Sequence, residues 1–207
     1  MEIDYPLLAV GELEAVAARW QALGFAPGPP RRQPWGAVSR AIGLGRQGIA
    51  LVAMEEAAPE HVLGRLLGEA LKRGDGVAAL ALHSADLAAE IAAIEARGGW
   101  SAGLVEGRLA VLPDDDFADL AVLLGRLDAP EPAAHPNGAD ALGAVLAFAP
   151  QPARVAARLA TIWGPAAVAE QPGGLLLQAG DVGLSVLDEA ALLRRLPGMR
   201  LPAGAAR

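Results

Sequence analysis

The sequence predicts an α+β fold built from repeated βαβββ modules. Three observations lead to this prediction. An apolar strand followed by an amphipathic helix that stops at a glycine occurs three times, short apolar segments of strand length follow each helix, and stretches rich in proline or glycine separate these groups. Modules of about 65 to 75 residues fit this spacing, which is too long for a solenoid repeat.

The first unit begins with the apolar run PLLAV and continues as a helix. Its apolar residues recur at the i, i+3, i+4, i+7 spacing of one helical face, and they are Leu13, Val16, Ala17, Trp20 and Leu23. Gly24 is the expected stop, because glycine tolerates the left-handed conformation that ends many helices.

The second unit begins near Val77 and the third near Gly143. Their helices are predicted to stop at Gly98 and Gly164, and their apolar faces comprise Leu87, Ile91 and Ile94 in the second unit and Val155, Leu159 and Ile162 in the third. Counting back from the three glycines aligns Leu13, Leu87 and Ala153. Few residues are identical between the copies, so the repeat is one of structure.

The segment between the first helix and the second unit contains a loop, two strands and a helix. Residues 26–36 (APGPPRRQPWG) are predicted to be irregular because of their prolines. The strands AVSRAIGLG and QGIALVAM meet at GLGRQG, which has the spacing of the dinucleotide-binding fingerprint. That fingerprint has to open a helix, whereas a strand follows here, so we expect a hairpin turn. A helix with an apolar stripe follows Pro59.

These elements divide the chain into five segments. They are a first βαβββ module at 1–56, a connector helix at 57–75, a second βαβββ module at 76–126, a proline-rich linker at 127–140, and a third βαβββ-like module with a C-terminal tail at 141–207. Three modules cannot all pair with one another within a chain. We therefore expect one pair to share a sheet and the third module to pack alongside or to close a dimer.

Composition restricts the classes of function. The 207 residues, 53% of them hydrophobic, suffice for one large core or two small ones. The net charge of −7 disfavours nucleic acid as a partner, because phosphate binding needs a basic surface. The chain has no cysteine, which excludes thiolate ligands and disulfides. A signal peptide and an apolar run of about 20 residues are both missing, so we expect a cytoplasmic protein that does not bind membranes.

Four passages carry a resemblance to a known family. They are IDYPLLAVGELEAVAARWQALGF, QPWGAVSRAIGLG, IALVAM and HPNGADALGAVLAF. Through them the chain resembles a glyoxalase-like member of the vicinal oxygen chelate superfamily over most of residues 3–188. The resemblance implies that paired modules form a curled, half-open mixed β-sheet barrel with flanking helices around a pocket. It also implies that metal-dependent members bind a divalent cation there through histidine and glutamate.

This chain departs from the family at the positions of the metal ligands. The first strand of such proteins typically reads Asp-His, whereas this chain has Asp4 and Tyr5. The other corresponding positions are Leu51, Ala79, Val145 and Ser185. Such a metal needs three or four nitrogen or oxygen ligands, so we expect no cofactor, although a divalent metal bound by other residues stays open.

Five residues are candidates for ligand binding, namely Tyr5, Trp35, Arg40, His135 and Asn137. The resemblance implies that the side chain of Tyr5 lies in the pocket. If the loop and the strand after it face the pocket, Trp35 could stack on a flat ligand and Arg40 could bind a carboxylate or phosphate. The alternative is a core-anchoring tryptophan among surface arginines. The HPNG string recurs in the resembling family, but His135 could also only anchor the turn that follows it. No catalytic residue is assigned.

Other polar residues have structural explanations. His61 is expected at the surface in the first turn of the connector helix. Ser84 or Asp86 is expected to cap a helix rather than to form a triad with His83, since a triad is a spatial relay. The acidic run 114–116 is interpreted as a solvated turn, with a calcium or magnesium site as the alternative.

Three functions stay open at this point. The leading one is a glyoxalase-like protein with a degenerate metal site that binds a small organic molecule in the sheet cavity. The second is a metal-dependent lyase, isomerase or dioxygenase with a relocated ligand set that includes His135. The third is a non-catalytic structural or protein-interaction scaffold. Enzymatic activity is thus left undecided, and a small-molecule ligand and a second copy of the chain are the expected partners.

Overall fold

The computed structural model describes residues 1–56, 60–99, 104–105, 107–112, 121–125 and 131–198. Within them the order strand, helix, three strands occurs three times. The first module comprises β1 (Glu2–Ala9), α1 (Leu13–Ala22), β2 (Arg31–Gln33), β3 (Ala37–Leu44) and β4 (Gln47–Met54). The connector helix is α2 (Val62–Leu71).

The second and third modules repeat this order. The second comprises β5 (Gly76–His83), α3 (Leu87–Ala96), β6 (Leu104–Val105), β7 (Leu109–Leu112) and β8 (Ala121–Gly125). The third comprises β9 (Ala144–Phe148), α4 (Pro152–Trp163), β10 (Val168–Gln171), β11 (Gly174–Ala179) and β12 (Val182–Leu187), followed by α5 (Glu189–Arg195).

The strands form two sheets. The first and second modules share a curled eight-stranded sheet in the order β2-β3-β4-β1-β5-β8-β7-β6, and the third module has its own sheet in the order β10-β11-β12-β9. In every module the first strand runs parallel to the last one, while β1 and β5 pair antiparallel at the centre of the large sheet. The predicted α+β fold of repeated βαβββ modules with a half-open mixed sheet is confirmed.

One strand lies where the sequence predicts irregular chain. Arg31, Arg32 and Gln33 pair with the start of β3 as a short edge strand, although prolines flank them on both sides. Proline cannot donate to a ladder, but an edge strand leaves one side unpaired, so prolines next to it cost little.

The two faces of the large sheet carry different helices. Helix α1 packs on one face, where Leu13 and Ala17 contact a cluster that includes Ile42 and Leu51. Helix α2 packs on the opposite, concave face, where Leu66 and Leu67 are each 1% exposed. The connector helix therefore lies on the side where the resemblance places a pocket.

The third module packs against the second. One continuous core joins residues of α4, such as Leu159, to residues of β5, such as Leu80. Arg97 at the end of α3 donates from its guanidinium to the carbonyl oxygens of Thr161 (2.7 Å) and Ile162 (2.5 Å) on α4. The division into five segments stays a prediction, and this shared core makes the second and third modules neighbours through their helices.

The ends of the helices follow the expected chemistry. Gly24, Gly98 and Gly164 all have positive φ angles, of 82°, 85° and 93°, as the predicted stops require. At the start of α3, Asp86 accepts a hydrogen bond from the backbone N–H of Ala89 (3.1 Å), so its predicted role as a cap is confirmed.

Candidate functional site

A row of small side chains crosses the concave face of the large sheet. Each residue of the row is paired with the next across five neighbouring strands, in the order Ala41, Ala50, Leu7, Ala79, Ala121. Four of these five residues are alanines, so their side chains occupy little space above the backbone of the sheet along this row.

Helix α2 covers only part of this row. Leu7, Ala79 and Ala121 belong to the buried cluster that α2 closes, whereas Ala41 and Ala50 at the other end keep part of their surface exposed. Tyr5, two residues before Leu7 and therefore on the same face, is also half-buried. We call the space over Tyr5, Ala41 and Ala50 the hollow.

Two segments lie at the two ends of β3. At the start of β3, the Trp35 indole stacks on the His61 imidazole, with ring centroids 6.5 Å apart and planes 26° apart. At the other end, a Cβ placed on Gly43 would overlap the carbonyl oxygen of Glu131. Gly43 and Ala41 share a face, so the linker backbone crosses the concave side at this point.

His61 is more than a solvated surface residue. Its Nδ1 accepts a hydrogen bond from the backbone N–H of Leu63 (3.2 Å), which makes it the N-cap of α2. The side chain is half-buried and carries the stack with Trp35. The aromatic pair therefore joins the turn before β3 to the start of the covering helix.

The structure separates Arg40 from Trp35. Arg40 lies on the α1 face, where its guanidinium donates to both carboxylate oxygens of Glu14 (3.1 and 2.7 Å) and to the carbonyl of Gly28 (2.7 Å). Strand alternation explains this placement, since Arg40 is cross-strand from Leu51, which faces α1. The other arginines near Trp35 in the sequence also diverge, because Arg46 pairs with Asp181 of the third module.

His135 is buried and both of its ring nitrogens are engaged. Nδ1 accepts from the backbone N–H of Ala26 (3.0 Å), and Nε2 lies 2.7 Å from the carbonyl oxygen of Gly43. An Nδ1 that accepts leaves the ring proton on Nε2, which therefore donates to Gly43. The Phe25 ring contacts the imidazole edge-to-face at 5.5 Å. His135 thus binds backbone groups of two elements of the first module.

Asn137 continues the same attachment. Its amide donates to the carbonyl of Leu23 (3.0 Å), its backbone N–H donates to the carbonyl of Gly24 (3.1 Å), and its side-chain oxygen accepts from Ala139 (3.1 Å). We call the segment from Glu131 to Ala139 the clamp, because it fixes the linker onto the end of α1 and onto β3. Tyr5 lies beside the hollow, Trp35 lies in the turn that precedes β3, and His135 and Asn137 lie in the clamp.

Comparison with known proteins agrees with this architecture. The sequence profile of the glyoxalase-like domain family matches residues 3–163, which is most of the chain. The chain belongs to the glyoxalase-like domain family. Its fold is that of the vicinal oxygen chelate superfamily, as the resemblance predicted. A search of curated proteins found no significant match.

Solved structures resemble this glyoxalase-like domain at low sequence identity. A mutant of 4-hydroxymandelate synthase from Streptomyces coelicolor superposes with a TM-score of 0.58 at 17% identity, covering 90% of this chain and 62% of the synthase. A hypothetical protein from Staphylococcus aureus gives a TM-score of 0.62 at 9% identity, covering 90% and 85% of the two chains. These likenesses concern the fold.

Among the described residues, the concave face of this glyoxalase-like domain does not carry the histidine and glutamate that the resemblance implies for a metal site. Leu51 faces α1, so the β4 residue beside Leu7 on the concave face is Ala50, which has no donor atom. In the third copy the strand ends align Tyr5 with Ala144 rather than with Val145, which packs toward α4. The register counted from the glycines is off by one because α4 ends directly at Gly164, whereas α1 and α3 end two residues before their glycines.

The part of the chain that the structure describes contains no group of three or more His, Cys, Asp or Glu side chains that could hold a metal. The acidic run 114–116 lies outside the described residues. The expectation of no cofactor therefore stays a prediction. Across the same described residues, no helix is long and apolar enough to span a membrane.

A second polar group lies at the start of β1 in this glyoxalase-like domain. Asp4 is 9% exposed, its Oδ2 has no hydrogen-bond partner among the described residues, and His83 Nδ1 lies 3.9 Å from it. Burial raises the pKa of Asp4 above its ordinary value of 3.8, and Glu2 raises it further, while His83 lowers it. Ser84 is 0% exposed, so its hydroxyl is inaccessible to a substrate.

Stability is expected to depend on pH through Asp4. Because its folded-state pKa lies above the unfolded value, the unfolded chain loses this proton first as the pH rises. The free energy of unfolding therefore falls from about pH 3.8 up through the folded-state pKa and then levels off. Asp4→Asn should remove this slope and be the more stable protein at neutral pH. Urea unfolding across this range measures both, with exposed Asp140→Asn as control. Equal slopes for Asp4→Asn and the wild type would refute the assignment.

Proposed function

We propose that this glyoxalase-like domain binds a small, largely apolar molecule with one or two hydrogen-bonding groups in the hollow. The observation that carries the proposal is the accessible floor of methyl groups at Ala41 and Ala50 beside the covering helix. Small-molecule sites are typically concave and mostly apolar, with few polar groups that fix orientation.

Polar and aromatic side chains on the same face support this chemistry. Ser39 lies two residues before Ala41 on β3 and therefore on the same face. Its hydroxyl accepts a hydrogen bond from the side-chain amide of Gln33 (2.8 Å). Tyr5 adds a phenol on the other side of the floor, and Trp35 adds a flat ring in the turn before β3, packed on the cluster that α2 covers. A ring of phenol or indole size, with its apolar face on the alanines and its polar group toward Ser39 or Tyr5, suits this arrangement.

The charges favour a neutral ligand. Arg40 lies on the α1 face and is neutralised by Glu14, so the proposal gives Arg40 no part in ligand binding. Arg32 is 85% exposed and pairs with Glu55. Arg31 lies opposite Ser39 and therefore on the concave face, but it is exposed on the edge strand, so a carboxylate over Ala41 and Ala50 would leave water for a floor of methyl groups, which is costly.

Catalysis by a bound metal is not part of the proposal. The 4-hydroxymandelate synthase shares the fold at 17% identity, and likeness at that level supports no transfer of its reaction. The position on β4 that faces the hollow is an alanine, which can neither ligate a metal nor transfer a proton.

Calorimetric titration with phenol and indole as probes tests the proposal. We expect both to bind the wild type, and Ala50→Leu to weaken binding by about tenfold or more because its side chain fills the floor. Trp35→Ala should weaken indole more than phenol, since a larger ring gains more from stacking. Ala169→Leu, an alanine exposed on β10, is the matched control and should bind as the wild type does.

The same titrations separate the alternatives. Equal affinity of the wild type and Ala50→Leu, with both proteins folded by circular dichroism, would remove the hollow from the site. Binding of Zn²⁺ or Ni²⁺ with about one equivalent per chain would instead favour a relocated metal site. No response to either class of probe would favour a scaffold role.

A further inference from the structure

Strand β9 occupies an edge that its counterparts do not. It is the first strand of its module, as β1 and β5 are of theirs, and it pairs parallel with the last strand, β12. In the large sheet the equivalent edges of β1 and β5 pair with each other. Within the described residues, β9 ends its sheet. The sheet of the third module therefore corresponds to one half of the large sheet, and among the described residues no second module pairs with it.

The pairing of β1 with β5 has an internal twofold symmetry. Pro6 lies opposite Leu80, and each is three residues before the end of its strand. Tyr5 and Leu7 lie opposite Ala81 and Ala79, which continues the same symmetric register. By the strand ends, the residue of β9 at the position of Pro6 and Leu80 is Val145.

The concave face of the third sheet is partly exposed and mostly apolar, with Ser185 and Gln178 as polar side chains on it. Helix α5 packs on the end of this face, where Ala191 and Leu192 form a cluster with Leu187 against which Leu146 and Phe148 are partly packed. Leu146 and Phe148 are half-buried, and Leu176 on β11 is 38% exposed. By contrast, α2 at the corresponding place in the first module contacts β4, β1 and also β5 of the neighbouring module.

The two edges of the third sheet differ in how they are protected. The β10 edge presents exposed Ala169 and a charged, exposed Glu170. The β9 segment, AVLAF, has no charged or polar side chain. Natural proteins place charged side chains on edge strands to prevent association. The β9 edge lacks this protection, as a strand that pairs with another strand does.

We propose that β9 pairs antiparallel with β9 of a second copy of this chain, about a twofold axis at Val145. The pairing joins two third modules into one eight-stranded sheet with the strand order of the large sheet. Leu146 then lies opposite the partner's Ala144, and α5 extends over the junction as α2 does over β1 and β5. Leu196 at the end of α5, 39% exposed, is placed to be covered there.

A double-mutant cycle with introduced charges tests this interface. Light scattering over a dilution series measures the molar mass and thus the dimer affinity. Ala144→Glu and Leu146→Lys should each weaken the dimer by about tenfold or more, because a charge then faces an apolar residue. The double variant should recover much of the loss, since the introduced carboxylate and the introduced ammonium group become cross-strand partners twice. Ala169→Glu, on the opposite edge of the same sheet, is the control and should leave the dimer unchanged.

A cross-link provides a second reading that does not depend on the charged variants folding. The chain has no cysteine, so Val145→Cys introduces a single thiol at the twofold axis. Facing residues of antiparallel strands are about 4.5–5.5 Å apart at Cα, within disulfide range. We expect an oxidised dimer for Val145→Cys and far less for Ala169→Cys. A monomer at every concentration, a dimer indifferent to both single charges, or equal cross-linking of the two cysteines would each overturn the proposal.

Discussion

Replacing His135 by alanine is expected to lower the free energy of unfolding by about 2–4 kcal/mol. The imidazole accepts from Ala26 and donates to Gly43, and truncation leaves that N–H and that carbonyl without their partner in a buried place. An unsatisfied buried group costs about 1–3 kcal/mol, and the lower part of the range for two groups applies because the Ala26 N–H is only half-buried. Urea unfolding monitored by tryptophan fluorescence measures the loss.

His83→Ala is the matched control for this variant. His83 is 48% exposed at the side chain and lies 3.9 Å from Asp4, so its removal should cost less than about 1 kcal/mol. If the two variants unfolded at the same urea concentration, the clamp would contribute nothing through His135. The result would then return His135 to the residues available for a ligand.

Leu67→Ala is expected to cost about 2–5 kcal/mol. Leu67 is 1% exposed between α2 and the concave face, and the lost contacts leave a cavity in a cluster that spans both paired modules. Leu23→Ala, at a residue that is 66% exposed, should change stability by less than about 0.5 kcal/mol. Denaturant unfolding of the two variants gives the comparison.

The cavity provides an additional test of where α2 lies. An apolar cavity of this kind stays dry and can bind benzene, which then stabilises the folded state. Benzene should therefore raise the melting temperature of Leu67→Ala more than that of the wild type or Leu23→Ala. An equal response of all three proteins would mean that Leu67 does not fill a space under the helix.

The local elements were predictable because their chemistry is local. The faces of α1, α3 and α4 follow from the spacing of residues such as Leu13 and Leu159, and the glycine stops follow from backbone sterics. The short strand at Arg31–Gln33 was missed, since its pairing depends on the neighbouring β3 and not on its own sequence. Likewise, the apolar stripe of α2 predicts that one face of the helix is buried, but it does not predict which face of the sheet the helix packs on.

The candidate site was less predictable because one residue step decides which face a strand residue occupies. Arg40 and Ser39 are neighbours in sequence, yet Arg40 faces Glu14 on α1 and Ser39 faces the concave side. The roles of His135 depend on Ala26 and Gly43, which are about a hundred positions away by their numbering. The alanines of the hollow gave no signal, since methyl groups form a floor only when neighbouring strands align them side by side.

The central position of β1 has a consequence for the order in which the protein is made. Of the strands of the large sheet, β1 is synthesised before the others, and its partner β4 follows well before its other partner, β5. During that interval the nascent first module has one open edge and an apolar face that only α2 can begin to cover. That transient state of the first module has the same strand order as the finished third module. A chaperone or a second nascent chain would meet the same unpaired edge in both.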